Sequence, residues 1–370
     1  MGNEAMEREL RGGYTTGACA AAGVKAALLL EAGQPADTVE LTALDGTRLS
    51  IPVKKVERLP EGIRAEVVKD AGDDPDITNG VSVFTTVRHL EGARGLRFLG
   101  GEGIGKVTKP GLSIPVGEPA INPGPRQLIR NTVEEILGKH AGLEVTISIP
   151  AGKELARRTL NPILGVEGGI SVIGTTGVLR PMSEEAFKNS LVPQIDVAKA
   201  AGFRSLVFVP GKIGERIALQ YGLPKDAIVQ TSNFIGFMLE AAVKREIRSI
   251  LLFGHIGKLS KVAAGVFYTH NRIADGRMEA LAAYASAEGL PAEGVRRILD
   301  SVTTEDAMTV LEEYQLQRVY RILAERASLR AKRYVFGEME IGTVMVTLDG
   351  RVLGMDAAAG SIGGELHWTI

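Results

Sequence analysis

The segment GGISVIGTTG, residues 168–177, combines glycines with serine and threonine residues. The apolar residues predict a short buried strand, and Gly174, Thr175, Thr176 and Gly177 follow it as a turn. Backbone amides in such a turn can face an anionic or polar cofactor, and hydroxyls can bond a ribose or a carboxylate. Because ligands of parallel sheets bind beyond the carboxyl ends of the strands, this segment is a candidate cofactor site. A tight strand-to-helix turn without a ligand is the alternative.

Three carboxylates lie close together within residues 70–80, at Asp73, Asp74 and Asp76. Neighbouring negative charges repel, so the pattern predicts a raised pKa for at least one of them. A carboxyl group with a raised pKa can act as a catalytic base. The alternative is a solvated turn without a catalytic role.

A histidine and two lysines follow a predicted parallel strand. His255 closes the apolar run, at a position that often faces a ligand, and is a candidate catalytic residue. Lys258 and Lys261 can meet substrate carboxylates or simply face solvent. The chain has five histidines, none paired at a close metal-ligand spacing, so we expect no metal site.

Composition narrows the class of protein and its partners. A chain of 370 residues is long enough for two domains, and a net charge of -1 argues against a nucleic-acid partner. The single cysteine, Cys19, rules out a disulfide within the chain and fits a reducing, cytoplasmic location. Its small-residue surroundings predict a packing role. No apolar run reaches about 18 residues, so we predict no membrane span.

The first part of the chain predicts an α+β domain over residues 1–142. Residues 12–33 form an apolar helix pattern, and Asp45-Gly46 is a typical hairpin turn between two strand-like runs. Further alternating runs follow, and residues 122–142 predict a helix that begins at a proline. We therefore expect a mostly antiparallel sheet in this domain.

The pattern changes near residue 143, where short apolar runs alternate with helical stretches. This alternation predicts a Rossmann-like parallel sheet with helices on both faces over residues 143–333, and an almost wholly helical part from Lys258 onward. The hairpin at Asp349-Gly350, within residues 334–370, is expected to return to the first domain. The overall fold class is thus two-domain α/β.

The usual fingerprints of nucleotide-binding sheets are missing. No G-x-G-x-x-G follows the strand in residues 168–177. The next run, SLVFVPG, ends without the acidic residue that usually binds a ribose. A conventional NAD site and a conventional nucleotide-type methyl-donor site are therefore disfavoured.

Six stretches in order form a more specific pattern: GYTTGACAAAGVKAAL, KDAGDDPDIT, PVGEPAINPGPRQLI, GGISVIGTTGVLRPMSEEA, SNFIGFML and GHIGKLSKVAAG. As a set they resemble the CbiD family, the cobalt-precorrin-5B methyltransferases of the anaerobic cobalamin pathway. The resemblance implies that S-adenosylmethionine gives a methyl group to ring carbon 1 of cobalt-precorrin-5B, producing cobalt-precorrin-6A. The cobalt would belong to the substrate, a small tetrapyrrole, and not to the protein.

The resemblance also suggests roles for particular residues. The methyl donor is expected at Gly168, Gly169, Gly174, Thr175, Thr176 and Gly177. The carboxylate-rich macrocycle is expected at Tyr14, Thr15, Thr16, Arg126, Arg130, Arg180, Asn233, Lys258 and Lys261. The acidic cluster would take a proton or position a pyrrole nitrogen.

Two rival functions and one property of the assembly stay open. One rival is a nucleotide-dependent reductase on a similar sheet, and the other is a tetrapyrrole carrier without enzymatic activity. Homo-oligomerisation is possible, and the sequence does not determine it.

Overall fold

The structure is a computed structural model, and it describes residues 10–368. The chain divides into two compact units, Met1–Glu184 and Glu185–Ile370, which we call unit 1 and unit 2. No helix among the described residues is long and apolar enough to cross a membrane.

Unit 1 combines short strands with two long helices. Its helices are α1 (Thr16–Glu31), α2 (Pro123–Leu137) and α3 (Gly152–Leu155). Its strands are β1 (Gly13–Tyr14), β2 (Thr38–Thr42), β3 (Arg48–Pro52), β4 (Lys55–Leu59), β5 (Gly62–Val68), β6 (Ser82–His89), β7 (Gly95–Gly100), β8 (Lys106–Val107), β9 (Gly142–Ser148), β10 (Val166–Glu167) and β11 (Val178–Leu179).

The main sheet of unit 1 is mostly antiparallel, as the sequence predicts. Its strand order is β4-β5-β6-β9-β7, and only β7 and β9 run parallel. Alternation along β5 buries Ile63, Ala65 and Val67 on one face. Helix α1 packs on this sheet, while β2 and β3 form the predicted hairpin around Asp45-Gly46.

Helix α1 is buried on nearly all sides because its residues are small and apolar. Thr15 caps it, since its Oγ1 accepts a hydrogen bond from the N–H of Ala18 at 3.2 Å. Cys19 is fully buried, and burial raises the pKa of its thiol to about 12. The thiol therefore stays protonated, which confirms the predicted packing role.

Unit 2 is built from alternating strands and helices. Its strands are β12 (Ser205–Val209), β13 (Ile228–Gln230), β14 (Ser249–His255), β15 (Glu340–Val346) and β16 (Val352–Met355). Its helices are α4 (Glu184–Leu191), α5 (Pro193–Ala200), α6 (Lys212–Gln220), α7 (Ile235–Val243), α8 (Ile256–Ala263), α9 (Arg277–Ala287), α10 (Ala292–Asp300), α11 (Thr304–Glu313), α12 (Arg318–Tyr334) and α13 (Ala357–Glu365).

The sheet of unit 2 confirms the predicted Rossmann-like fold. Its order is β13-β12-β14-β15-β16, with parallel pairing throughout except between β15 and β16. Successive residues of a strand point to opposite faces. On β15, Gly342 lies against Ala359 of α13, while Thr343 bonds Ser328 of α12 at 2.8 Å. Helices therefore cover both faces of the sheet.

Two predictions about the domain division are wrong. Residues 142–148 form β9, which lies inside the unit 1 sheet between β6 and β7. The tail 334–370 does not join unit 1, because β15 pairs in parallel with β14 from Ser249↔Glu340 to His255↔Val346. Residues 341–346 are all buried, so this strand needs a neighbouring strand and a helix on each face. The Asp349-Gly350 turn joins β15 to β16 in that sheet.

The contact between β15 and α13 leads to a stability prediction. A Cβ atom on Gly342 would lie 2.4 Å from the backbone nitrogen of Ala359, so Gly342→Ala forces the strand and helix apart. We expect Gly342→Ala to lower the free energy of unfolding by about 3 kcal/mol, measured by urea denaturation. The control is Gly364→Ala in α13, where an added Cβ meets no atom within 4 Å. We expect this variant to leave the free energy of unfolding unchanged or to raise it slightly. Equal stability of the two variants would contradict the close packing.

Candidate functional site

The turn at Gly174–Gly177 lies in unit 1 and contacts the start of α1. The N–H of Gly17 donates to the carbonyl of Ile173 at 3.0 Å, and the N–H of Ile173 donates to Oγ1 of Thr16 at 3.0 Å. The N–H of Thr15 donates to the carbonyl of Gly177 at 3.0 Å. The structure therefore brings together two sets of predicted residues, the turn and the threonines that open α1.

Close backbone contacts also join this turn to α2. A Cβ on Gly174 would lie 2.2 Å from Oγ1 of Thr15, and one on Gly124 would lie 2.3 Å from the carbonyl oxygen of Gly174. A Cβ on Gly17 would lie 2.6 Å from Pro125. The first turns of α1 and α2 thus meet at one loop. The N–H groups of Gly17 and Ala18 are already bonded to Ile173 and Thr15, and the first turn of α2 contains two prolines without N–H groups.

The structure corrects the interpretation of residues 168–177. Strand β10 ends at Glu167, just before this segment. Residues 168–177 form two isolated bridges, Ile104↔Ile170 and Ile121↔Val172, and no strand. Strand β11, and not a helix, follows the turn. The segment belongs to none of the sheets among the described residues, and its Ile170 and Val172 pack into the core of unit 1.

The two glycines at the start of this segment lie away from the threonine cluster. A Cβ on Gly169 would lie 2.1 Å from the carbonyl oxygen of Gly103, so Gly169 packs against that loop. Gly168 is exposed, and its φ of +84° lies in the left-handed region, which glycine adopts at no steric cost. Gly169 thus packs on the Gly103 loop and Gly174 on Thr15, which divides the predicted donor residues between two places.

The three carboxylates of the acidic segment have separate donors. Oδ2 of Asp73 accepts from the N–H of Arg11 at 2.8 Å, and Oδ2 of Asp74 accepts from the N–H of Met182 at 2.8 Å. Oδ2 of Asp76 accepts from Nζ of Lys69 at 2.5 Å, while its Oδ1 accepts from the backbone and hydroxyl of Thr78. Asp76 therefore has both oxygens occupied, whereas Asp73 and Asp74 each keep one oxygen without a described partner.

Among the three carboxyl groups, of which at least one was predicted to have a raised pKa, Asp76 has a lowered one. Burial acts to raise the pKa of its carboxyl group, but the hydrogen bonds from Lys69 and Thr78 outweigh burial and hold that pKa below its ordinary value. Asp76 is therefore an ionised partner of Lys69 and unsuited to act as a base near neutral pH.

Lys69 is a buried residue of this site that the sequence analysis missed. Its side chain is only 2% exposed. The signal was present, because Lys69 continues the inward alternation of Ile63, Ala65 and Val67. Its ion pair with Asp76 fixes the acidic segment next to the strand that supports α1.

Removing the partner of Lys69 should be costly. Asp76→Ala leaves a buried ammonium without a counter-charge, so we expect the free energy of unfolding to fall by about 3 kcal/mol in urea denaturation. Asp73→Ala, which loses one hydrogen bond from a backbone N–H, is the control and should cost about 1 kcal/mol.

The loss of stability in Asp76→Ala should also depend on pH. Because folding lowers the pKa of Asp76, its contribution is present above the unfolded value of about 4 and is lost as the pH falls through the lower folded value. The difference between wild type and Asp76→Ala should therefore shrink below about pH 4. A difference that does not change down to pH 2 would contradict the ion pair.

The three predicted arginines differ in what they can still bind. Nε of Arg126 donates to the carbonyl of Ile121 at 2.8 Å, and its Nη2 bonds Glu118 at 2.9 Å, so this guanidinium is already paired. Arg130 is exposed and donates to Gln127 at 3.2 Å. Arg180 is 80% exposed, and its nearest carboxylate oxygen, on Asp45, is 3.9 Å away. Arg130 and Arg180 are therefore the better candidates for substrate carboxylates.

In unit 2, His255 links the end of β14 to the start of α8. Its Nδ1 accepts from the N–H of Gly257 at 3.1 Å, so the proton of the neutral ring lies on Nε2. Nε2 is 2.8 Å from Oε1 of Glu305. Both ring nitrogens are thus occupied, which leaves neither for a substrate unless one of these bonds breaks.

Lys261 and Lys258 have different environments, although both were predicted to bind substrate. The side chain of Lys261 is 0% exposed and donates to Thr269, Asn271 and Ala274. It holds the loop after α8 and has no surface for a macrocycle, so its predicted role is wrong.

Lys258 is half-buried and bonds two neutral oxygens. Its Nζ donates to the carbonyl of Pro210 at 2.8 Å and to Oδ1 of Asn233 at 2.9 Å. Burial, together with the positive charge of Lys261, lowers the pKa of Lys258. Asn233 therefore orients Lys258, and the ammonium keeps a third N–H at the carboxyl edge of the sheet.

No cluster of three or more histidine, cysteine, aspartate or glutamate side chains suited to a metal ion occurs between residues 10 and 368. The two sheets and the helices packed on them define an α/β protein of two units.

Comparison with known proteins identifies the family. The model of the CbiD family matches residues 3–181, and that of the CbiD C-terminal domain matches residues 268–357. A cobalt-precorrin-5B C(1)-methyltransferase of Moorella thermoacetica is 50% identical, over 97% of this chain and 99% of that protein. One of Methanocaldococcus jannaschii is 47% identical, over 92% of this chain and 95% of the relative. This chain belongs to the CbiD family.

A solved structure is also similar. The crystal structure of a cobalamin biosynthesis protein (cbiD) from Archaeoglobus fulgidus is 22% identical, and it covers 69% of this chain and 80% of that chain with a TM-score of 0.37. The family assignment rests on the sequence relatives.

Proposed function

We propose that this chain is an S-adenosylmethionine-dependent methyltransferase that methylates ring carbon 1 of cobalt-precorrin-5B to give cobalt-precorrin-6A. The observation that carries the proposal is identity of up to 50% over nearly the full length to relatives named cobalt-precorrin-5B C(1)-methyltransferase. Cobalt enters with the substrate. The reducing cytoplasm is the proposed location, and the single buried cysteine supports it.

Unit 1 provides groups that suit the macrocycle. A tetrapyrrole with many carboxylates needs positive charge, which the exposed guanidinium groups of Arg130 and Arg180 supply. Tyr14 directly precedes Thr15, which caps α1, and its N–H donates to the carbonyl of Asp70 at 2.9 Å. We propose that the turn at Gly174–Gly177 also contacts macrocycle carboxylates.

The chemistry asks the protein to orient two partners and to remove a proton. The donor supplies a methyl group bound to a positively charged sulfur; the bond from carbon to sulfur breaks and its electron pair stays on sulfur. Holding the ring carbon in line with this bond can provide much of the rate. Asp73 and Asp74 are the candidates for the proton acceptor, since each keeps a carboxylate oxygen without a described partner.

The activity is tested with S-adenosylmethionine that carries a ¹³C methyl group, incubated with cobalt-precorrin-5B and purified protein. We expect a product that is one methyl group heavier, with the label at ring carbon 1 in its NMR spectrum. A macrocycle that binds and stays unlabelled would support the carrier and contradict the methyltransferase.

The proposed role of Arg180 predicts a specific kinetic change. Arg180→Gln removes one cation for a substrate carboxylate, so we expect KM for the macrocycle to rise about tenfold. Arg97→Gln is the matched control, because Arg97 is also exposed and its guanidinium lies 3.6 Å from a carboxylate. An unchanged KM in both variants would exclude Arg180 from the macrocycle site.

A further inference from the structure

The order of strands in unit 2 creates a crevice at one edge of the sheet. From β12 the chain passes to β13 on one side, and from β13 it returns to β14 on the other side of β12. The segments that follow β12 and β14 therefore diverge at the carboxyl edge, where open parallel sheets bind their ligands. We infer that S-adenosylmethionine binds in this crevice, over Gly211–Gly214; the inference rests on the proposed function and locates its donor.

The segment after β12 has space for a ligand. A Cβ on Gly211 would meet no atom within 4 Å, whereas one on Gly214 would lie 3.2 Å from the carbonyl oxygen of Phe253. Helix α6 therefore begins against the central strand, with open space over the residue before it. Its start has no side-chain cap, so its first N–H groups can receive a carboxylate.

An independent observation places a cation at the same point. The ammonium of Lys258 lies 2.8 Å from the carbonyl oxygen of Pro210, the residue directly before Gly211. Its two described partners are neutral, and no carboxylate pairs with it within residues 10–368. A partly buried cation without a counter-charge is unfavourable. The carboxylate of the donor would supply the missing negative charge and complete the third hydrogen bond of the ammonium.

The end of β13 provides acceptors for a ribose. Nε2 of Gln230 donates to Oε2 of Glu215 at 2.7 Å, and Glu215 lies in the first turn of α6. In nucleotide-binding sheets an acidic residue at the end of the second strand bonds the ribose hydroxyls. Here the Gln230–Glu215 pair occupies that place, with Oε1 of each side chain left to accept a hydrogen bond.

The strand order explains why no acidic residue follows SLVFV. If GGISVIGT were the first strand of the sheet, the acidic residue that binds the ribose would be expected after SLVFV. In the structure SLVFV is β12, the first strand of this sheet. The second strand is β13, so the position that corresponds to the ribose-binding acid is Gln230 at its end. The amide of Gln230 reaches its acid, Glu215, from a different element.

The first test fills the crevice and measures binding of S-adenosylhomocysteine by calorimetry. Gly211→Val adds bulk where a Cβ meets nothing, on extended backbone with a φ of 166° that any residue adopts, so the fold should be kept. We expect its affinity to fall at least tenfold.

The matched control is Gly364→Val, whose Cβ also meets nothing. Gly364 lies at the opposite edge of the sheet, because its neighbour Glu365 contacts Ser205 and Ser249, the first residues of β12 and β14. We expect this variant to bind S-adenosylhomocysteine within twofold of wild type. Equal affinity of Gly211→Val and Gly364→Val would overturn the inference.

The second test separates the carboxylate from the nucleoside. Lys258→Gln removes the charge, so we expect binding of S-adenosylhomocysteine to weaken about tenfold. Binding of 5′-methylthioadenosine, which lacks the carboxylate, should stay within twofold. An equal loss for both ligands, or no loss for either, would contradict the role of Lys258.

Two further outcomes distinguish this inference from the proposed function. If Thr175→Tyr, at the exposed turn of unit 1, abolishes binding while Gly211→Val binds normally, the donor lies at that turn and the methyltransferase stands. If wild type binds S-adenosylhomocysteine neither alone nor with the macrocycle, the proposed function fails, and the inference fails with it.

Discussion

The hydrogen bonds from Lys258 connect the ends of the three strands that form the crevice of unit 2. Lys258 lies on α8 after β14, and it bonds Pro210 after β12 and Asn233 after β13. These bonds hold the ammonium at the carboxyl edge. Because both partners are neutral and no carboxylate pairs with Lys258 within residues 10–368, the ammonium has no counter-charge there. One side chain therefore sets the electrostatic demand of the crevice.

Unit 1 brings two helix starts together through close backbone contacts. The absence of side chains at Gly17, Gly124 and Gly174 lets α1 and α2 meet at one turn. Lys69, a buried cation of this unit, is neutralised by Asp76. Lys69 is paired with a carboxylate, whereas Lys258 has none within residues 10–368, and this contrast is why we place a ligand carboxylate beside Lys258.

Much of the fold could be predicted from local pattern, and the failures have physical causes. Alternation in β5 and the Asp45-Gly46 turn are local signals, and the structure confirms both elements. An apolar run such as residues 168–177 fits a buried strand or a core-filling segment equally well. The hydrophobic pattern indicates that residues are buried, but it does not indicate which segment they pair with. Strand β15 joins β14 through contacts distant in sequence, which a hairpin signal cannot reveal. The motifs predicted two sets of residues that the structure brings into contact, the Gly174–Gly177 turn and the threonines that open α1, whereas the proposed role of Gln230 depended on knowing the strand order.

The most direct measurement is a crystal structure of the full chain with S-adenosylhomocysteine bound. We predict density for the ligand at the carboxyl edge of β12 and β14, with its carboxylate on Lys258 and the start of α6 and its ribose near Gln230. Density at the Gly174–Gly177 turn of unit 1, with the crevice over Gly211 empty, would contradict this account.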